Sequence, residues 1–261
     1  MFGRLFLFVG ELLKIVIIFF ELSFKNRGEI SMKTIGLIGG LSWESSAVYY
    51  RIINELVRAK VGSTHSAKSI MYSVDFAEFE KLQHQGDWDK LTELMIDAGM
   101  RLKKGGADFM VICTNTMHKM ADAIESQVGI PLLHIADTAA DEVKIRGLHK
   151  VALLGTKFTM EQDFYKGRLA QKHGIEVVIP DQDEREVIHS IIYHELVLGK
   201  ILESSREAFV KIMEHMHNIG AEGIVLGCTE IPLLISQKDS IVPIFDTTQI
   251  HATAAVEFSL R

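Results

Sequence analysis

Two short phrases of the sequence contain the residues best suited to chemistry, and the phrases match each other. The first reads Gly-Ala-Asp-Phe-Met-Val-Ile-Cys-Thr-Asn-Thr over residues 106–116, and the second reads Gly-Ala-Glu-Gly-Ile-Val-Leu-Gly-Cys-Thr-Glu over residues 220–230. Aligned without a gap, they pair Thr114 with Cys228. An apolar run that ends in small polar residues is typical of a buried parallel strand with a ligand crevice at its carboxyl end. We therefore predict a site with two similar walls.

A thiol on one wall and a hydroxyl on the other suit inversion at a carbon atom. One group removes a proton from one face, and the other delivers a proton to the opposite face. Cys228 is a candidate acid/base because the N–H groups of a strand-to-helix turn lower the pKa of a thiol. Thr114 takes the corresponding place on the first wall, and Asn115 and Thr229 add hydrogen bonds to the same ligand. The alternative for Cys228 is a small buried apolar residue.

Three neighbours of these turns have two interpretations each. Adjacent strand residues point to opposite faces, so Cys113 either faces into packing behind the site or assists Thr114 from there. His118 either orients the first turn or simply begins a helix. Glu230 either hydrogen-bonds the amine of a ligand or caps the following helix.

Strands and helices alternate from Met32 onward, which predicts parallel sheets with right-handed crossovers. Three segments recur in the same order in both halves of the chain, which indicates an internal repeat. We predict an α/β protein with two pseudo-symmetric, Rossmann-like domains, residues 32–147 and 148–261, and an active site in the cleft between them. The carboxyl-terminal helix, predicted over residues 249–260, could pack back on the first domain.

Composition excludes several functions. The net charge of −6, with acids and bases interspersed, offers no basic face for nucleic acid. The two cysteines, in an ordinary globular composition, indicate free thiols in a reducing, cytoplasmic compartment. The sequence has no His-x-x-x-His or Cys-x-x-Cys spacing, so no metal is predicted. The glycines at 36, 39 and 40 lack the spacing of a dinucleotide fingerprint.

Residues 1–31 form an apolar extension that differs from the rest of the chain. Residues 5–24 are strongly apolar, but Glu11, Lys14 and Glu21 interrupt them. A spanning helix needs about 20 apolar residues with few charges. Three interpretations stay open: translation that begins at Met32, a weak membrane anchor within residues 1–24, and a secretory signal that lacks a clear cleavage site.

From Met32 to the end, the chain resembles the aspartate/glutamate racemase superfamily. The superfamily's Ile-Gly-x-x-Gly-Gly turn is matched at residues 35–40, and its Gly-Cys-Thr turn at residues 227–229. Its Cys-Asn-Thr turn is matched at Asn115 and Thr116, with Thr114 in place of the cysteine. The longer strings at residues 40–45, 113–118 and 159–165 are similar to those of a broad-specificity or L-aspartate/glutamate-directed branch, which has threonine there.

The resemblance implies an isomerase that racemises amino acids in a cleft between two similar domains, without a cofactor and as a homodimer. It assigns Cys228 as one acid/base and places Thr114 where the other stands. Residues that would hold the amino and carboxylate groups of the substrate are Ser42, Asn115, Thr116 and Thr229, joined by Glu230 in one of its two interpretations.

Two departures from the superfamily pattern bear on the reaction. A threonine hydroxyl is a far weaker acid than a thiol, so the two directions of racemisation are expected to be unequal. The superfamily's aspartate racemases often bind the side-chain carboxylate of the substrate with a lysine and an arginine. Here Val197 occupies the lysine position, and no arginine follows the second strand. The alternatives are a decarboxylase or isomerase that uses Cys228 alone, and an amino-acid-binding protein without turnover.

Overall fold

The computed structural model describes residues 31–62 and 64–261, and these contain two parallel sheets. In the first sheet the order is β2-β1-β3, with β1 at Ile35–Gly39, β2 at Ser69–Ser73 and β3 at Phe109–Ile112. In the second the order is β5-β4-β6-β7, with β4 at Lys150–Gly155, β5 at Glu176–Val178, β6 at Gly223–Gly227 and β7 at Ile244–Asp246. All pairings are parallel. The predicted α/β class with two similar parallel sheets is confirmed. Of the apolar extension predicted over residues 1–31, residues 1–30 lie outside the described residues.

Helices connect these strands along the described chain. Their bounds are α1 Trp43–Val61, α2 Phe76–Gln85, α3 Trp88–Lys104, α4 Ala121–Val128, α5 Ile135–Ile145, α6 Lys157–Glu161, α7 Asp163–His173, α8 Gln182–His194, α9 Glu203–Asn218 and α10 Thr247–Ser259. The sequence did not predict α6 and α7, because α7 buries only Tyr165 and Leu169 and so shows little apolar periodicity. None of the described helices is long and apolar enough to cross a membrane.

Both faces of each sheet are covered, which is why the central strands are apolar throughout. In β1, Leu37 packs with α1 and α10, whereas Ile38 packs with α3 on the other face. In β4, Leu153 packs with α5 and α7, whereas Leu154 packs with α8 and α9. The two sheets therefore have the same layered organisation.

The two halves exchange one helix each. α5 follows β3 in the chain, but its Ala140 and Val143 pack with Phe245 in the core of the second sheet. α10 ends the second half, but its Ala252 and Val256 pack in the core of the first sheet. This exchange ties the two sheets together.

The apolar residues after Pro131 also predict a short strand over residues 131–134, and this prediction is wrong. Residues 131–134 make a single bridge between Leu132 and Met110 instead of a strand. Pro131 has no N–H to donate to a ladder, and His134 already caps the first turn of α5 by accepting from the N–H of Ala136. The first sheet accordingly has three strands where the second has four.

A partly buried ion cluster fixes α5 against α7. Asp137 accepts two hydrogen bonds from Arg168, at 2.7 and 2.8 Å, one from Lys172 at 2.7 Å, and lies 2.8 Å from Nε2 of His173. Partial burial alone raises the pKa of Asp137, but the hydrogen bonds from these three side chains hold it well below its ordinary value. The ionised carboxylate therefore stabilises the folded chain.

We expect Asp137→Asn to cost about 2 kcal/mol of unfolding free energy at neutral pH, because charge-assisted hydrogen bonds are lost. Since the folded pKa is depressed, this contribution is fully present above the unfolded pKa of about 3.9 and is lost progressively as pH falls from there toward the lower folded pKa. Urea denaturation at several pH values measures it. Asp141→Asn, at an exposed position of the same helix, is the control. An equal loss in both variants, or a loss that persists in acid, would contradict the prediction.

Candidate active site

The carboxyl ends of β1, β3, β4 and β6 meet at a cleft between the two sheets. The cavity within the cleft has a volume of about 30 Å³. Six predicted site residues line it, namely Ser42, Thr114, Asn115, Thr116, Cys228 and Glu230. The seventh, Thr229, is not part of the lining, but its hydroxyl donates a hydrogen bond to Glu230, which is. The tertiary structure thus brings the two repeated phrases to one place.

A tight turn after β1 places Ser42 at the start of α1. Gly40 makes this turn with φ of +83°, where an added Cβ would lie 2.1 Å from the carbonyl oxygen of Val74. Ser42 caps α1 by accepting from the N–H of Ser45, and Ser45 donates to the carbonyl of Cys113 at 2.9 Å. The turn after β1 is therefore held against the turn after β3.

Glu230 joins the walls of the cleft. Its Oε1 accepts from the hydroxyl of Ser42 at 2.5 Å, and its Oε2 accepts from the thiol of Cys228 and the hydroxyl of Thr229, each at 3.0 Å. The side chain is only 5% exposed. A buried carboxylate with three donors is well satisfied, and it stands next to the thiol as a proton acceptor.

The pKa of the Cys228 thiol is raised, which corrects the expected depression. Burial raises it first, and the charge and hydrogen bond of Glu230 raise it further. The N–H groups of Glu230 and Ile231 act in the expected, lowering direction but are outweighed. Cys228 is therefore a thiol at neutral pH, and it needs a base before it can accept a proton.

On the other wall, Thr114 is held through its backbone. His118 Nδ1 lies 2.8 Å from the carbonyl oxygen of Thr114, and His118 Nε2 accepts from the N–H of Ile135 at 3.3 Å. A carbonyl only accepts, so Nδ1 carries the proton and the ring is neutral. Burial lowers the pKa of His118 well below its ordinary value, which agrees with this tautomer. Within the described chain, no side chain hydrogen-bonds to the Thr114 hydroxyl.

Asn115 presents an acceptor without a partner. Its Nδ2 donates to Thr247 at 3.1 Å, and Thr247 donates to the carbonyl of Leu226 at 2.7 Å, which fixes the amide. Asn115 Oδ1 is buried and has no hydrogen-bond partner in the structure. A buried acceptor of this kind is costly unless a ligand donor, such as an ammonium group, reaches it.

Thr116 contacts the second half of the chain through its side chain, whereas Cys113 contacts the site through its backbone. Thr116 lies within 3.5 Å of the hydroxyls of Thr156 and Thr159, from the second half of the chain. Cys113 points into the core formed with α1 and α10, and burial raises the pKa of its thiol. It supports the site through its carbonyl group, not through its sulfur.

The lining also includes residues that the sequence did not identify as site residues, and two of them contact each other across the cleft. Gln83 in α2 donates to the hydroxyl of Tyr193 in α8 at 3.1 Å, and both line the cleft. The available signal was spacing: Phe76, Phe79 and Gln83 recur on one helix face, where an amide interrupts an otherwise apolar stripe.

A metal-binding geometry occurs elsewhere in the described residues. Asp181, Glu184 and His215 could offer three ligand atoms. Asp181 and Glu184 already form the capping box of α8, and Glu184 pairs with His215 at 2.8 Å. These contacts account for the group as a helix cap.

The chain belongs to the Asp/Glu/hydantoin racemase family, whose model matches residues 38–255. Over 178 residues it is 25% identical to the broad specificity amino-acid racemase RacX of Bacillus subtilis strain 168, a match that spans 65% of this chain and 73% of that protein.

Two solved structures are also similar. A candidate Asp/Glu racemase from Yersinia pestis is 54% identical with a TM-score of 0.83, and an aspartate racemase homologue from Pyrococcus horikoshii OT3 is 37% identical with a TM-score of 0.77. Each match covers 88% of this chain and 100% of the other. The predicted racemase family is confirmed, and with it the isomerase class.

We expect Glu230→Gln to lower the pKa of Cys228, because the carboxylate charge that raises it is removed. The thiolate fraction at neutral pH should rise while racemisation falls at least tenfold, since the adjacent proton acceptor is lost. Ultraviolet absorbance of the thiolate across pH, with Cys228→Ser as the blank, measures the first change. A Cys228 pKa that is unchanged or higher in the variant would refute this electrostatic description.

Proposed function

We propose that the chain interconverts L- and D-amino acids by two-base proton transfer at Cα, with Cys228 on one face and Thr114 on the other. The observation that carries the proposal is the Cys228, Glu230 and Ser42 hydrogen-bonded group in a cleft that Thr114 also lines. A thiol in contact with a buried base is suited to proton abstraction. The family membership agrees with this chemistry.

The proton moves in a defined order. The Cys228 thiol passes its proton to Glu230, and the resulting thiolate removes the Cα proton. The Thr114 hydroxyl then gives its proton to the opposite face. Water returns a proton to the Thr114 alkoxide, and Glu230 releases its proton to the hydroxide that remains, which restores all three groups. The reverse reaction begins with abstraction on the Thr114 side. Since the Thr114 hydroxyl has no side-chain base among the described residues, abstraction from that side is expected to be slower. No cofactor enters these steps.

Polar groups near Cys228 and Thr114 can bind the ammonium and carboxylate groups that all amino acids share. Asn115 Oδ1 can accept from the ammonium group, and its orientation is fixed by Thr247. The hydroxyl of Thr116 can donate to the carboxylate, and that of Thr229 can do so once protonation of Glu230 releases it. Glu230, once protonated by Cys228, becomes a donor in the same place. This assigns Glu230 to proton transfer, beyond the two interpretations that its position in the sequence suggests.

The cleft favours a broad substrate range with neutral side chains. No lysine or arginine is among the described residues that line it. The rest of the lining is neutral and includes Phe76, Gln83, Met117, Ile192, Tyr193 and Val197. A distal carboxylate would be desolvated there without a cationic partner. We therefore propose broad specificity over strict preference for aspartate or glutamate.

Loss of the Cα proton signal in D2O, followed by proton NMR for each common L- and D-amino acid, tests the reaction itself. Exchange should occur with several amino acids and fall at least a thousandfold in Cys228→Ser, because the hydroxyl is a much poorer base. Thr114→Ala should abolish inversion while exchange on the Cys228 face persists.

Two outcomes separate the alternatives. Exchange with retention in the unmodified protein would point to a reaction that uses Cys228 alone. Binding without any exchange would point to an amino-acid-binding protein. Circular dichroism of each variant shows that a loss of exchange is not a loss of folding.

Val197→Lys tests the origin of specificity. Placing a cation in the neutral lining should raise the rate ratio of aspartate and glutamate to neutral amino acids at least tenfold, because the distal carboxylate gains a partner. Val197→Met is the control for added side-chain length. An unchanged ratio would mean that Val197 does not lie against the substrate side chain.

Two further expectations remain proposals. We propose a homodimer, on the basis of the resemblance to the racemase superfamily, and light scattering measures it. We propose a cytoplasmic location, on the basis of the two free, buried thiols, and cell fractionation measures it.

A further inference from the structure

The cleft is closed in this structure, so a substrate has to open it. Exposed fractions are 3% for Ser42, 2% for Asn115, 7% for Cys228 and 5% for Glu230. The cavity between them, about 30 Å³, has room for about two water molecules and is too small for an amino acid. Some contact across the cleft must therefore break and re-form in each catalytic cycle.

In addition to the hydrogen bonds of Glu230 described above, another direct hydrogen bond joins the two walls of the cleft. Gln83 Nε2 donates to the hydroxyl of Tyr193 at 3.1 Å. Gln83 belongs to α2, which packs on the first sheet through Phe79, whereas Tyr193 belongs to α8, which packs on the second through Ile188. Gln83 is 3% exposed, so the bond is shielded from water.

Rings from both halves surround this bond. His84 lies 5.3 Å from Tyr193 and 6.0 Å from Phe158, and Trp88 lies 5.8 Å from Phe158, measured between ring centroids. His189 lies 4.7 Å from Tyr193. His84 and Trp88 come from α2 and α3, and the other three come from α6 and α8. Edge-to-face and tilted ring contacts of this kind stabilise the closed cleft, but each one is weak and can break when the cleft opens.

We infer that Gln83 and Tyr193 are positioning residues that latch the cleft closed over the substrate. The bond joins helices anchored in different sheets, so separating the sheets at this side requires breaking it. Burial raises the pKa of Tyr193, so the phenol stays protonated. Its oxygen accepts the hydrogen bond from Gln83 while its O–H group is retained. The inference rests on the cleft being the active site proposed above, but its test needs no racemase activity.

The two cysteines measure opening directly. Cys228 lies in the cleft, and Cys113 lies in the core of the first sheet with no exposure. Iodoacetamide should reach Cys228 only when the cleft opens, and Cys113 only when the protein unfolds. Peptide mass spectrometry over time gives both alkylation rates in one sample.

Tyr193→Phe removes only the hydroxyl of the latch, and Gln83→Leu removes only the amide. Each should accelerate alkylation of Cys228 about twofold to tenfold, which corresponds to one net hydrogen bond. The double variant should gain little more than either single one, since both remove the same bond. Tyr50→Phe, at a tyrosine that is 53% exposed outside the cleft, should match the unmodified chain.

Rates are compared at several pH values. A change in the pKa of Cys228 would shift the plot of its alkylation rate along the pH axis. A more open cleft would instead raise the alkylation rate at every pH. Unchanged Cys228 rates in both single variants, or equal acceleration at Cys113, would overturn the latch. In active protein, the latch variants should raise KM about twofold to tenfold and change kcat less.

Discussion

One buried carboxylate organises the site. Glu230 accepts hydrogen bonds from Ser42, Cys228 and Thr229, which reach it from the turns after β1 and β6 in different sheets. Burying a charge is costly unless donors satisfy it. The relative placement of the two sheets is therefore coupled to the same group that can take the proton of Cys228. Stability of the closed cleft and chemistry at the thiol depend on one set of contacts.

The two walls are similar in fold and unequal in chemistry. After β6, a thiol faces a carboxylate at 3.0 Å. After β3, Thr114 is fixed through its carbonyl by a neutral His118, and its hydroxyl has no side-chain partner among the described residues. Repeating a strand and turn reproduces the backbone of the site, but the acid/base strength of each wall follows from the side chains beside it. This asymmetry predicts unequal rates from the two faces of Cα.

Closure gives a physical reason for the buried polar groups. Asn115 Oδ1 has no partner in the closed cleft, and a substrate ammonium group can supply one. Removing water strengthens the electrostatic interactions between Cys228 and Glu230. The bond between Gln83 and Tyr193 joins helices that pack on different sheets. Substrate binding and cleft closure are thus expected to be coupled.

The sequence by itself determined the parallel α/β architecture, because period and length distinguish buried strands from amphipathic helices. The phrases at residues 106–116 and 220–230 also identified the turns that line the cleft. The strand predicted at residues 131–134 was wrong, since the pattern did not reveal that His134 was already committed to capping α5. Helices α6 and α7 were missed because little of their surface is apolar.

Only the tertiary structure decided the electrostatics and the cross-cleft contacts. The raised pKa of Cys228 depends on burial and on a carboxylate at 3.0 Å, whereas the sequence showed only the turn that would lower it. Gln83 and Tyr193 are 110 positions apart, and they meet because two separate sheets pack together. Local spacing specifies which face of an element a side chain occupies. Long-range packing specifies what that side chain touches, and therefore its charge and its role.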